Sequence, residues 1–142
     1  MTYGPDDAGL ARLLGETRTI AVVGLSSKPD RPSNEVAAYL QRQGYRIVPV
    51  NPRETEVLGE TAYPTLDDVP ADVVIDLVDV FRRAEDTPAV AEEAVRRGAR
   101  VLWLQLGIES EEARRIAEDA GITVVMDRCI MVDHRALKEA LP

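Results

Sequence analysis

The chain has little sulfur, few aromatic side chains and almost no lysine. Its 142 residues include one cysteine, one histidine, one tryptophan, one phenylalanine and two lysines. A single cysteine excludes a disulfide framework within the chain. One cysteine and one histidine also exclude a structural zinc site built only from those two residue types. No apolar stretch approaches the ~18 residues that suggest a membrane span. Positive charge is scarce: 17 Lys and Arg stand against 25 Asp and Glu, for a formal net charge of −8. A general nucleic-acid surface needs clustered positive charge, so that class is excluded. Met1 to Leu10 carry a proline and two aspartates and lack the basic and apolar regions of a secretory signal. The expectation is a cytoplasmic chain with a reduced thiol.

What is present reads as a globular domain. Apolar residues make up 45% and charged residues 30%, which separates the chain from disordered and fibrous sequences. The length suits one domain over residues 1–142, large enough to bury a core without staples. Arginine dominates the basic residues, with Lys28 and Lys138 the two lysines. A genome rich in G and C accounts for that bias. Arginine also makes forked, planar contacts to phosphate, so a few loop arginines suffice to bind a small polyanion.

Strand-like and helix-like segments alternate. Thr19 to Val23 is a short β-branched run ending at Gly24, as expected for a strand buried on both faces. Val36, Ala37 and Leu40 follow at helical spacing, with Gly44 as the stop. Tyr45 to Val50 is the second strand, closed by Asn51-Pro52. Arg53 to Pro70 is irregular, with Thr61-Ala62-Tyr63 as a short edge strand. Val73 to Val78 is the next strand, and Thr87-Pro88 opens a helix that ends at Gly98. Val101 to Leu104 is a further strand, with Trp103 expected in the core. Ser110 caps a helix that carries Ala113, Ile116, Ala117 and Ala120 on one face and ends at Gly121. Ile122 to Met126 is the last strand, and Val132, Ala136, Leu137 and Ala140 mark a C-terminal helix. An extra helix spans about Asp7 to Leu14.

This alternation predicts the α/β class: a Rossmann-like, doubly wound parallel sheet in three layers, α/β/α, with a flavodoxin-like order as the alternative. Ligands of such sheets bind beyond the carboxyl ends of the strands. That selects the loops after Val23, Val50, Val78 and Leu104.

The first loop reads Gly24-Leu25-Ser26-Ser27-Lys28-Pro29-Asp30-Arg31-Pro32-Ser33. It holds only the first glycine of G-x-G-x-x-G, and it is not a Walker A loop. It still offers the hydroxyls of Ser26 and Ser27, the Lys28 ammonium and the Arg31 guanidinium, and it opens onto a helix N-terminus that favours anions. Ser33, or Asn34, is a candidate helix cap, and Ser33 a candidate ligand contact as well. After the second strand, Asn51-Pro52-Arg53 places a guanidinium where NAD-binding folds carry an acid. Arg53 suits a ribose phosphate, such as the 2′-phosphate of NADP or the 3′-phosphate of coenzyme A; its plainer reading is an exposed loop charge.

Several blocks in order carry a family resemblance: Val23-Gly24-Leu25-Ser26-Ser27, Pro32-Ser33, Gly44-Tyr45, Val50-Asn51-Pro52, Val80-Phe81-Arg82, Trp103-Leu104-Gln105-Leu106-Gly107 and Met126-Asp127-Arg128-Cys129. The chain resembles stand-alone bacterial CoA-binding domain proteins, which are similar to the N-terminal domain of the succinyl-CoA synthetase alpha subunit. The resemblance runs from about Arg12 to Leu137 and implies a Rossmann-like fold and CoA binding. It implies no reaction, because the synthetase's second domain with its phosphorylated histidine has no counterpart here. Carried over by position, Gly24, Leu25, Ser26, Ser27 and Lys28 receive the phosphates or pantetheine. Asn51, Pro52 and Arg53 flank the nucleotide. Val78, Phe81 and Arg82 line the adenine or pantetheine side.

Other groups have plainer readings. Cys129 beside Arg128 is either an activated thiol facing the cleft or, the better reading, a buried small side chain. His134 at a helix start reads as structural, with a role beside Asp133 as the alternative. Ser26, Asp79 or Asp127, and His134 follow the order of a hydrolase triad, but Lys28 replaces the closing glycine of the nucleophile elbow. Asp76 and Asp79 are candidate divalent-ion ligands, and Asp79 reads more simply as an ion-pair partner of Arg82 or Arg83. The leading expectation is a CoA or acyl-CoA binding module without catalysis of its own. The alternatives are an NADP-dependent oxidoreductase and a subunit of a CoA-transforming enzyme. The expected partners are the ligand and either a second copy of the chain or another protein, not nucleic acid or membrane.

Overall fold

A computed structural model describes all 142 residues. The order is α1 (Asp7–Glu16), β1 (Thr19–Val23), α2 (Pro32–Arg42), β2 (Arg46–Val50), β3 (Glu56–Val57), β4 (Glu60–Thr61), β5 (Leu77–Val80), α3 (Thr87–Arg96), β6 (Val101–Leu104), α4 (Glu111–Asp119), β7 (Thr123–Val125) and α5 (Ile130–Leu137). Five strands form one parallel sheet in the order β2-β1-β5-β6-β7. Tyr63 makes a single parallel bridge to Val50 outside β2. Counting that bridge as a vestigial third strand gives the order of a Rossmann-like sheet, with its reversal point between β1 and β5. The fold is therefore the α/β, Rossmann-like class expected from the alternation.

Alternate residues of each strand feed two separate cores. Ala21, Val23, Val78, Val80, Leu102 and Leu104 pack with Val90, Ala91, Ala94, Ala113 and Ala117 of α3 and α4. Ile20, Val22, Leu77, Trp103 and Val125 pack with Leu10, Leu14, Val36, Ala37, Leu40 and Ile130 of α1, α2 and α5. Both faces are covered, which is why the strands read as continuous apolar runs. Trp103 is fully buried, and its indole N–H donates to the Arg128 carbonyl at 2.8 Å. The Ser110 hydroxyl accepts the Ala113 amide, the cap expected for α4.

Two elements depart from expectation. The strand placed at Val73 to Val78 lies further on, at Leu77–Val80, and Val74 is exposed. Segment 66–73 is instead held by Arg97, whose guanidinium donates to the carbonyls of Leu66, Val69, Pro70 and Val73. Asp76 is tied as well: its Oδ2 accepts the amides of Arg18 and Thr19. The C-terminal helix buries Ile130, Asp133 and His134 and leaves Val132 exposed. Its polar residues tolerate burial because each is paired, Asp133 with Arg128 and His134 with the Tyr39 hydroxyl at 2.8 Å.

Arg97→Ala removes the guanidinium bonds to the carbonyls of Leu66, Val69, Pro70 and Val73, and leaves those that Glu93 and Arg96 of α3 make to Leu66 and Asp67. The expected cost is about 2 kcal/mol or more, because charge-assisted bonds are lost and carbonyls are left without a donor. Urea unfolding measures it; a change within about 0.5 kcal/mol, the scale of an ordinary surface substitution, contradicts the clamp.

Candidate functional site

The site forms where β2, β1 and β5 end side by side. Gly24 follows β1 and is laced to both neighbours. Its amide donates to the Val50 carbonyl at 2.7 Å, and the Phe81 amide donates to the Val23 carbonyl at 2.8 Å. Gly24 has φ +89°, and a Cβ there would collide with the Phe81 carbonyl oxygen. Only glycine permits this closeness of the two loops. Asn51 ties the loop after β2 to the loop after β1. Its side-chain amide donates to the Leu25 carbonyl at 3.0 Å, and its Oδ1 accepts the Arg53 amide at 2.9 Å.

In the loop after Gly24, serine hydroxyls hold two of the amides. Ser33 Oγ accepts the Ser26 amide, and Ser26 Oγ accepts the Lys28 amide. Asn34 donates to the Ser26 carbonyl. Ser33 and Asn34 therefore brace the loop, and the N-cap position of α2 falls to Arg31, which makes no side-chain cap bond. The Ser27 amide reaches across to Glu54 Oε2 at 2.9 Å.

Two hollows meet here. One, of about 320 Å³, is lined by Gly24, Asn51, Pro52, Arg53, Phe81 and Arg82. The other, of about 330 Å³, is lined by Ser26, Lys28, Arg31, Asn51, Arg53 and Glu54. They share Asn51 and Arg53 and so form one groove over the strand ends. Lys28, Arg31, Arg53 and Arg82 border it on a chain whose net charge is −8. The ion pairs of Arg96, Arg114 and Arg128 lie elsewhere. Arg82 reaches Asp86 at 3.5 Å, while Lys28, Arg31 and Arg53 form no salt bridge. Unpaired cations around a concave backbone surface suit a phosphorylated ligand. A larger hollow of about 610 Å³ between α1 and the C-terminal residues includes no strand end.

Most of the residues expected from the sequence meet in this groove: Gly24, Ser26, Lys28, Asn51, Pro52, Arg53, Phe81 and Arg82. Ser27 is exposed in the same loop, and Ser33 is buried behind it. Two need correction. Val78 is fully buried within β5, between Ala21 and Leu102, and does not line the groove. The Leu25 side chain is fully buried in the core, so that residue offers only its backbone. Sequence reasoning missed Glu54 as a groove residue; its position three residues after Asn51 in the second loop was the available signal.

The remaining candidates lie apart. Cys129 is half-buried, not fully buried, in a separate hollow of about 260 Å³ with Thr2, Leu106 and Val132. Arg128 is bound by both oxygens of Asp133 at 2.7 and 2.9 Å, so its guanidinium is committed to that carboxylate rather than to the thiol. No hydrolase triad is assembled. His134 is buried against Tyr39, Asp127 accepts the Gly107 amide, and Asp79 is hydrogen-bonded to neither His134 nor Ser26. Burial lowers the pKa of His134 below its ordinary value, which suits a structural imidazole. Asp79 pairs with neither Arg82 nor Arg83, contrary to expectation. It is fully buried, neither oxygen has a hydrogen-bond partner, and burial pushes its pKa well above the usual carboxylate range.

A sequence model of the CoA binding domain matches residues 18–135. The chain belongs to the CoA-binding domain family. It is 45% identical over 134 residues to the uncharacterized protein YneT of Bacillus subtilis, covering 94% of this chain and 98% of that protein. It is 30% identical over 122 residues to the alpha subunit of an ADP-forming acetate–CoA ligase II of Pyrococcus furiosus. That match covers 80% of this chain but 27% of the subunit. A solved structure of a hypothetical protein from Pyrococcus horikoshii superposes with a TM-score of 0.91 at 38% identity, over 95% of this chain and 94% of that one. This CoA-binding domain thus has a counterpart of nearly its own length and another inside a longer ligase subunit. No helix is long and apolar enough to cross a membrane.

Proposed function

We propose that the groove at the ends of β1, β2 and β5 binds coenzyme A or an acyl-CoA, and that the chain works as a binding module without catalysis of its own. The observation that carries this reading is the set of cations around the groove, of which Lys28, Arg31 and Arg53 have no carboxylate partner. CoA presents a diphosphate and a ribose 3′-phosphate, and several fixed cations are needed to replace their hydration. Family membership supports the same ligand. The groove contains no nucleophile hydrogen-bonded to a base, which is the arrangement covalent catalysis requires.

A second reading is a subunit of a CoA-transforming enzyme. It is favoured by the likeness to a region of the acetate–CoA ligase subunit. An NADP-dependent oxidoreductase fits less well. The loop after β1 carries only the first glycine of the dinucleotide fingerprint, with Ser26 and Pro29 at the other two glycine positions.

Arg53 is central to the test because it borders both hollows. Calorimetry is expected to show CoA bound about tenfold more tightly than dephospho-CoA, the effect of one charge-assisted contact. NAD is expected to bind poorly. Arg53→Ala should remove the preference for CoA over dephospho-CoA. Equal affinity of the unaltered protein for those two ligands removes Arg53 from a phosphate site. No binding of either overturns the ligand assignment.

A further inference from the structure

The groove already holds an anion of its own. Glu54 is half-buried on the loop after β2, yet its carboxylate points back across the groove to accept the Ser27 amide at 2.9 Å. Among the amides of Ser26, Ser27 and Lys28, Ser27's alone is bonded across the groove, since the other two are held by serine hydroxyls within the loop and its helix. Glu54 shares its hollow with Lys28, Arg31 and Arg53 but forms a salt bridge with none of them. It therefore occupies the amide that an incoming phosphate oxygen would use, and its charge lies beside cations that the phosphate would need.

We infer that Glu54 is an internal stand-in for a phosphate and sets how strongly the groove discriminates among anionic ligands. This rests on the reading of the groove as an anion site. A ligand that enters the Lys28–Arg53 hollow must displace the carboxylate from Ser27 and accept its repulsion. A weakly charged ligand cannot supply enough charge-assisted contacts to do so. A ligand with several phosphates can, because each new contact with Lys28, Arg31 or Arg53 offsets the lost bond. The effect is a threshold: free phosphate and singly phosphorylated compounds are excluded, and polyphosphorylated ones are admitted. Glu54 is on this account a specificity-determining residue, and it stabilises the empty loop by keeping the Ser27 amide satisfied.

Two substitutions separate charge from hydrogen bonding. Glu54→Gln keeps an oxygen that can accept the Ser27 amide and removes the charge. Glu54→Ala removes both. Titrations with CoA, inorganic pyrophosphate and inorganic phosphate are followed by calorimetry on the unaltered protein and both variants. The expected result is that Glu54→Gln binds CoA and pyrophosphate about three- to tenfold more tightly and gains measurable binding of inorganic phosphate. Glu54→Ala is expected to match or exceed that gain. Weaker or unchanged binding of all three anions by Glu54→Gln overturns the inference; weaker binding of CoA alone assigns Glu54 to a ligand hydroxyl instead and also overturns it. If the variants gain pyrophosphate binding while no form binds CoA, the role of Glu54 stands and the CoA assignment falls. If no form binds any of the three, both fall. Circular dichroism of each variant checks that the fold is retained; a variant that does not fold is replaced by Glu54→Ser.

Discussion

Asparagine in place of Asp79 is expected to remove most of the pH dependence of stability above pH 5 and to make the fold more stable at neutral pH. Asp79 sits in β5, fully buried, in register with Val22 on one side and Trp103 on the other. Neither carboxylate oxygen has a hydrogen-bond partner. Burial pushes its pKa well above the ordinary range, so the folded chain favours the neutral acid. A folded-state pKa above the unfolded value means that the contribution is complete below the unfolded pKa of about 3.9 and is lost as pH rises towards the folded value. Across that window the loss runs at about 1.4 kcal/mol per pH unit. The asparagine side chain does not titrate, so in the Asp79→Asn variant the loss disappears.

Urea unfolding of both proteins between pH 5 and pH 8 tests this. The difference between the two is the quantity to follow, because the other titrating groups cancel in it. His134 has the opposite sign: burial lowers its pKa, so its contribution is present above the unfolded pKa and is lost as pH falls. Parallel curves for the two proteins would show that Asp79 finds a partner or water in solution. An Asp79→Leu variant extends the test, since it also removes the unpaired polar atoms that asparagine retains.

Gly24→Ala is expected to cost both stability and ligand binding. The residue has φ +89°, where an L side chain is strained by roughly 1–2 kcal/mol. The added Cβ also meets the backbone oxygen of Phe81, which cannot rotate away as a side chain would. Relief requires the loops after β1 and β5 to separate, and they form one wall of the groove. The fold should lose about 2 kcal/mol or more, and CoA affinity should fall by about tenfold or more. Gly44→Ala is the matched control. Gly44 also has a positive φ, +102°, but nothing lies within 4 Å of the Cβ that alanine would add there. If the two variants behave alike in urea unfolding and in CoA calorimetry, the close approach at Gly24 has no consequence.

Much of the site was legible before the structure because strand ends are easy to read. Val23-Gly24 and Val50-Asn51-Pro52 each end an apolar run on residues that cannot continue it, so the loops and Arg53 could be placed. The fifth strand departs from its expected bounds. The sequence places it at Val73 to Val78, a run that includes Asp76; in the structure it begins at Leu77 and continues through Asp79 to Val80. A charged residue type is a strong sign of an exposed position, and here the tertiary structure overrides it. The error carried Val78 into the expected site.

The C-terminal helix shows the same limit. Its apolar spacing starts from Val132, yet Val132 is exposed while Asp133 and His134 are buried. Their partners, Arg128 and Tyr39, come from a preceding loop and from α2. Pairing across the fold reverses an assignment made from one segment. Cys129 followed suit: its neighbour Arg128 was legible, but the commitment of that arginine to Asp133 was not.

By itself the sequence determined the α/β class, the two-sided burial of the sheet and the loops that form the groove. These depend on local patterns: apolar runs, helical spacing, and glycine or proline at element ends. Only the tertiary structure decided that Asp79 is an unpaired buried acid, that Glu54 turns its carboxylate onto the Ser27 amide, and that Lys28, Arg31 and Arg53 border one groove without a salt-bridge partner. Each of those facts is a distance between residues far apart in the chain. Whether a charge is paired, exposed or buried alone depends on which segments the fold packs beside it, and local spacing carries no record of that.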